Sequence, residues 1–208
     1  LTNDPADEFA PDLSPDGRAV AYHSWRTGTR DIEVKPLDGG PVERVTATPA
    51  QESYPIWSPD GRSLLFYDQV RPFAVFVTNR GEGGRWSSPV RVASPVHAAD
   101  WSPDGRSLSF VGADYERPGS LMVMPVEGGS ARRVFEPTAT APPAERALWG
   151  PDGRTLYYKA HDAQGRASLW AVSAAGGRPR LLVRFTDPDR QSSRRDFGVD
   201  ARRFYFAI

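Results

Sequence analysis

The chain has 208 residues, and its 26 Lys plus Arg balance 26 Asp plus Glu, a formal net charge of zero. That balance argues against a nucleic-acid domain or a polybasic membrane-surface protein, both of which show a basic surplus. Cysteine is absent, which excludes disulfides, zinc–thiolate sites and thiol nucleophiles. No apolar run approaches the roughly 20 residues of a transmembrane helix. With 19 Gly and 20 Pro, the composition predicts many short elements and many turns.

Read from the N-terminus, the chain repeats itself. Ser-Pro-Asp-Gly-Arg stands at 14–18, 58–62 and 102–106, with Gly-Pro-Asp-Gly-Arg at 150–154. The residues just before these strings are Leu13, Trp57, Trp101 and Trp149, and a degraded copy follows Phe197, so the anchors recur every 44 to 48 residues. A short apolar run follows each turn, at 19–22, 64–67, 108–111, 156–158 and 204–206. After a variable loop comes a second run, at 32–34, 75–77, 121–124 and 169–172. Asp38-Gly39-Gly40, Glu127-Gly128-Gly129 and Ala175-Gly176-Gly177 then turn the chain into a final run, at 42–45, 132–135 and 180–183, with 90–92 in the second unit. Counting the run that ends on the anchor, each unit predicts four short strands bounded by turn residues. No segment carries a helical stripe.

The repeated turn has a physical reading. Ser offers a side-chain acceptor, Pro presets φ, Asp suits the next position, and Gly takes the left-handed conformation that closes a tight hairpin. Asp16, Asp60, Asp104 and Asp152 recur once per unit, as turn formers do, whereas a catalytic carboxylate is usually unique. Trp57, Trp101, Trp149 and Trp170 are expected in the core; Trp25 and Trp86 fall in loops.

Four strands per 44–48 residues in tandem is the arithmetic of a β-propeller blade. Trp-Ser-Pro-Asp-Gly-Arg, then strand, loop, strand, Asp-Gly-Gly, strand, resembles the TolB-like, WD40-like (PD40) propeller repeat of bacterial proteins over essentially the whole chain. The fifth copy departs from it, with Val199 for Pro and Ala201 for Gly. The fold class implied is all-β, a propeller of the six-bladed TolB-like type. Four complete blades are expected at about 7–48, 51–94, 95–136 and 143–185, with a partial one at 191–208, in a single propeller segment. That phase reads as a fragment of a larger propeller; an unusual ring of four blades plus a remnant is the alternative.

The sequence holds no G-x-S-x-G elbow, H-E-x-x-H or phosphate loop. Its histidines, His23, His97 and His161, share neither a repeat position nor a helical spacing, so no metal site is assigned and no cofactor is implied. A loop calcium site at Asp187 and Asp189 stays open. Glu8, Glu52, Tyr54, His97, Glu145, Arg146 and Arg194 cluster at the start of the innermost strands. They are the candidate ligand- or partner-binding residues at a channel mouth, and Trp86 is the candidate in a loop. The resemblance implies a non-catalytic scaffold for a protein or peptide partner, bacterial and extracytoplasmic, possible as the sensor-like tail of a larger protein. No nucleic acid and no membrane insertion are expected. The rival reading is the gating propeller of a prolyl-oligopeptidase-like serine hydrolase; a third is a propeller enzyme with its own site.

Overall fold

A computed structural model describes residues 7–112, 119–186, 197–200 and 202–206. Among these residues every regular element is a strand. The chain divides into two compact units, Leu1–Pro95 and Val96–Ile208.

The first unit holds two four-stranded antiparallel sheets in simple chain order. One is built from β1 (Glu8–Leu13), β2 (Ala19–Ser24), β3 (Asp31–Pro36) and β4 (Glu43–Arg44). The other is built from β5 (Glu52–Trp57), β6 (Ser63–Asp68), β7 (Ala74–Asn79) and β8 (Val90–Ala93). The second unit repeats this with β9 (Val96–Trp101), β10 (Ser107–Gly112), β11 (Leu121–Pro125) and β12 (Arg132–Phe135). A second sheet in that unit holds β13 (Arg146–Trp149), β14 (Thr155–His161), β15 (Ala167–Ser173) and β16 (Arg180–Arg184). A two-stranded sheet, β17 (Phe197–Val199) with β18 (Phe204–Phe206), carries the partial fifth copy. These four-stranded meanders are propeller blades.

The repeated turn works as its residues require. In the first unit the Gly17 N–H donates to the Ser14 carbonyl (2.8 Å), and the Ser14 hydroxyl donates to Asp16 (2.7 Å) while accepting the Ala19 N–H (2.9 Å). The same geometry recurs at Ser58 and at Ser102. The fourth copy has Gly150 because a β-carbon there would lie 2.9 Å from the Tyr157 ring. The Thr155 hydroxyl takes over the bond to Asp152 (2.7 Å).

The anchors build the cores, as expected. Trp57 is buried with Ala21, Ile32, Val34, Leu64 and Phe66, and Trp149 is buried with Leu121, Tyr158 and Trp170. Leu13, the anchor of the first copy, is 56% exposed instead.

Strand alternation alone did not foretell one feature. The innermost strands β1, β5 and β9 each slip register against their partner, at Phe9/Asp12, at Ser53/Ile56 and opposite Ser109/Val111. The inserted residue takes a left-handed φ: Ala10 at 52°, Tyr54 at 52° and Ala98 at 50°. These are β-bulges, which bend a strand and re-aim its side chains. β13 has none, and its ladder runs unbroken from Arg146 opposite Lys159 to Trp149 opposite Leu156.

Candidate functional site

In the first unit the bulges of β1 and β5 assemble an aromatic cluster. A bulky residue at positive φ costs on the order of 1–3 kcal/mol and persists only where its surroundings hold it. Tyr54 is such a residue. The residue is 54% exposed, and its ring leans on His23 (centroids 5.6 Å apart) and meets Tyr67 edge-on (6.3 Å). Phe9, 51% exposed, stacks on His23 at 5.9 Å and 19°. Trp25 is edge-on to both Phe9 (5.7 Å) and His23 (5.4 Å). The Arg30 guanidinium lies 4.3 Å over the Trp25 ring, a cation–π contact that braces it.

His23 is the hub and it is buried. The Tyr54 backbone N–H donates to its Nδ1 (3.4 Å), a long bond that requires an unprotonated nitrogen. Burial first, and then the Arg30 charge, push the His23 pKa down to about 4. At neutral pH the ring is an uncharged packing element and not a general acid.

Charges frame this ledge. Arg26 lies 3.5 Å from Glu8 and 3.7 Å from Glu33, so Glu8 stands in an ion-pair network. Burial, and then the neighbouring Glu33, push the Tyr22 hydroxyl pKa up. Glu52 is buried, accepts the Thr48 hydroxyl, and has its pKa raised, chiefly by burial. It therefore presents no open carboxylate to solvent. Trp86 packs half-buried on Trp57 (5.8 Å), with Arg80 5.6 Å over its ring, so most of its indole covers the blade core.

In the second unit His161 Nδ1, at the end of β14, and Glu145 Oε1, on the residue just before β13, lie 2.6 Å apart. Arg146 follows on β13, opposite Lys159, which is fully buried. His97 stands on β9 opposite Val111. Arg194, Asp187 and Asp189 lie outside the described residues. Sequence reasoning named Tyr54, Glu8 and Glu145 but passed over Phe9, His23 and Trp25 as members of one cluster. A usable signal existed: Pro11 and Pro55 follow Ala10 and Tyr54, and proline inside a strand marks an edge or a bulge.

Chemically, the ledge offers two half-exposed aromatic residues beside ion-paired acids and arginines, an arrangement suited to apolar contact and hydrogen bonding. Among the described residues no group of three or more His, Asp or Glu is placed to hold a metal ion. No helix among them is long and apolar enough to cross a membrane.

Comparison with solved structures decides the fold. TolB from Acinetobacter baumannii superposes with a TM-score of 0.62 at 19% identity, over 82% of this chain and 44% of that one. The chain has the TolB-like β-propeller fold. The propeller domain of the trilobed protease from Pyrococcus furiosus is similar too, with a TM-score of 0.61 at 16% identity, over 86% of this chain and 57% of that one. At such identities the TolB-like likeness is one of fold alone. Among curated proteins, tricorn protease homolog 2 from Streptomyces coelicolor is 46% identical over 46 residues, 22% of this chain and 4% of that protein. The chain thus spans under half of the TolB and a small part of the tricorn homologue. No family model matches it.

Proposed function

We propose that this TolB-like propeller segment is a non-catalytic scaffold that recognises a protein or peptide partner, and that it belongs to the PD40-type repeat proteins. The observation that carries the reading is the Phe9–His23–Tyr54 cluster, in which two half-exposed aromatic residues at the strained bulges of β1 and β5 pack on a histidine kept neutral. Rigid aromatic faces give contact area at low entropic cost, which favours recognition. Glu8 and Arg26 would add polar contacts there. Glu145 and Arg146 are the proposed contacts of the second unit, and His97, Trp86 and Arg194 remain candidates from sequence. A bacterial, extracytoplasmic setting is part of the same proposal and rests on the resemblance of the repeat.

A second reading draws on the likeness to a protease's propeller domain: a gating propeller whose hydrolase domain lies elsewhere in its protein. The first reading is tested by a turnover screen for hydrolase, transferase and redox activity with the purified chain. No turnover is expected. His161 and Glu145 are in hydrogen-bond contact, so turnover lost in Glu145→Gln, with the fold intact, would overturn the scaffold reading. A G-x-S-x-G motif in the same gene beyond residue 208 would favour the gating reading.

A further inference from the structure

We propose that the outer groove of the second unit is a separate docking site for an extended acidic peptide. The groove, about 910 Å³, runs between β12 and the turn leading into β16. That volume lies in the range of roughly 300–1,000 Å³ found for ligand clefts. Its floor is apolar, formed by Phe135, Trp170 and Leu181, of which Leu181 is 38% exposed.

Charge identifies the occupant. Arg133 and Arg178 stand on the lining. Arg133 is met by Glu136 at 3.2 Å, while Arg178 is exposed with no acidic partner among the described residues. Outside the lining, Arg132 donates to the carbonyls of Ala174 (2.7 Å) and Ala175 (3.0 Å), in the turn that leads to the lining residues Gly177 and Arg178. Those bonds pin the turn without neutralising the guanidinium. The groove thus carries more positive charge than its acid balances, and guanidiniums select carboxylates geometrically.

The backbone favours an extended ligand. β12 and β16 are the outermost strands of their sheets, each with one ladder inside its sheet, to β11 and to β15. The other edge of an outer strand can take up a peptide by strand addition. Side chains of such a peptide alternate with period two: an aliphatic residue reaches the Leu181 floor, and carboxylates two or four residues away on the same face reach toward Arg178 and Arg133. A nucleic-acid strand fits less well, because Phe135 and Trp170 are buried and leave no open ring face for base stacking.

The test is fluorescence anisotropy on the whole chain with a fluorescein-labelled probe, Asp-Glu-Leu-Asp-Val-Glu-Asp, beside its amide counterpart Asn-Gln-Leu-Asn-Val-Gln-Asn. Saturable binding of the acidic probe is expected. Arg178→Glu should weaken it at least about tenfold, the scale of a lost charge-assisted bond. Arg178→Lys should restore part of it, and added salt should weaken it. Phe9→Ala/Tyr54→Ala should leave it unchanged, so this site can fail or stand apart from the proposed ledge. Equal binding of the amide probe, no saturable binding, or indifference to Arg178→Glu would overturn the proposal. Tighter binding of labelled oligothymidylate would overturn it in favour of nucleic acid. Self-association in sedimentation that Arg178→Glu abolishes would overturn it in favour of a second copy.

Discussion

The carboxylate of Asp12 accepts the backbone N–H of Trp57 at 2.7 Å, tying the innermost strand of one blade to that of the next. The same latch recurs in the second unit, where Asp100 accepts the Trp149 N–H at 3.0 Å. The residue before the anchor is Asp in the first and third copies but Ile56 and Leu148 in the second and fourth. Trp57 and Trp149 are buried, so an unpaired N–H there would bear a desolvation cost. Asp12→Ala and Asp100→Ala should each destabilise the chain by about 1.5–3 kcal/mol, the scale of a hydrogen bond to a charged group. Urea unfolding checks this, with a shifted midpoint at unchanged slope expected.

Gly61 sits at φ +68° in the second repeated turn. A β-branched residue is forced into a region it scarcely adopts, so Gly61→Val should cost about 1–3 kcal/mol. Gly61→Asn should cost distinctly less, because asparagine tolerates that region. Thermal melts of the two variants give the ranking.

Gly150→Ser would restore the repeat's own letter yet should destabilise the chain. The new β-carbon meets Tyr157 at 2.9 Å and the Asp152 carboxylate at 3.0 Å, and overpacking of this kind typically costs about 1–3 kcal/mol. An unchanged melting temperature would show that the Tyr157 ring yields freely.

Much of the fold is written in local chemistry. The Ser-Pro-Asp-Gly turn, the short apolar runs and the Trp anchors each depend on residues close in sequence, so their recurrence reveals the blades. The site is less legible. Phe9, His23, Trp25 and Tyr54 meet only because β1, β2 and β5 lie together and two strands bulge. Glu52 looks like a rim acid by its strand position, but the side chain is buried. Trp86 lies in a loop by sequence, and it is tertiary packing that lays it on Trp57.

His23 makes stability depend on pH. Its pKa falls from 6.5 to about 4 on folding, so between these values the unfolded chain binds more protons. Its contribution is complete above pH 6.5 and is lost as pH falls toward 4. Glu52 shifts the opposite way and opposes this trend, so the comparison must be between variants. His23→Phe keeps a ring in the stack and removes the proton. Its melting temperature should fall less than that of the unaltered chain between pH 7 and pH 4.5.

The central claim is that recognition occurs at the Phe9–Tyr54 ledge. The most direct measurement replaces Tyr54 with the photo-crosslinker p-benzoylphenylalanine, with Val90, 61% exposed on an outer strand, as the control position. After illumination in a bacterial envelope extract, the account predicts a discrete crosslinked partner from position 54 that is absent from position 90 and lost when Phe9→Ala is added. Equal crosslinking from both positions, or none from position 54, would contradict it.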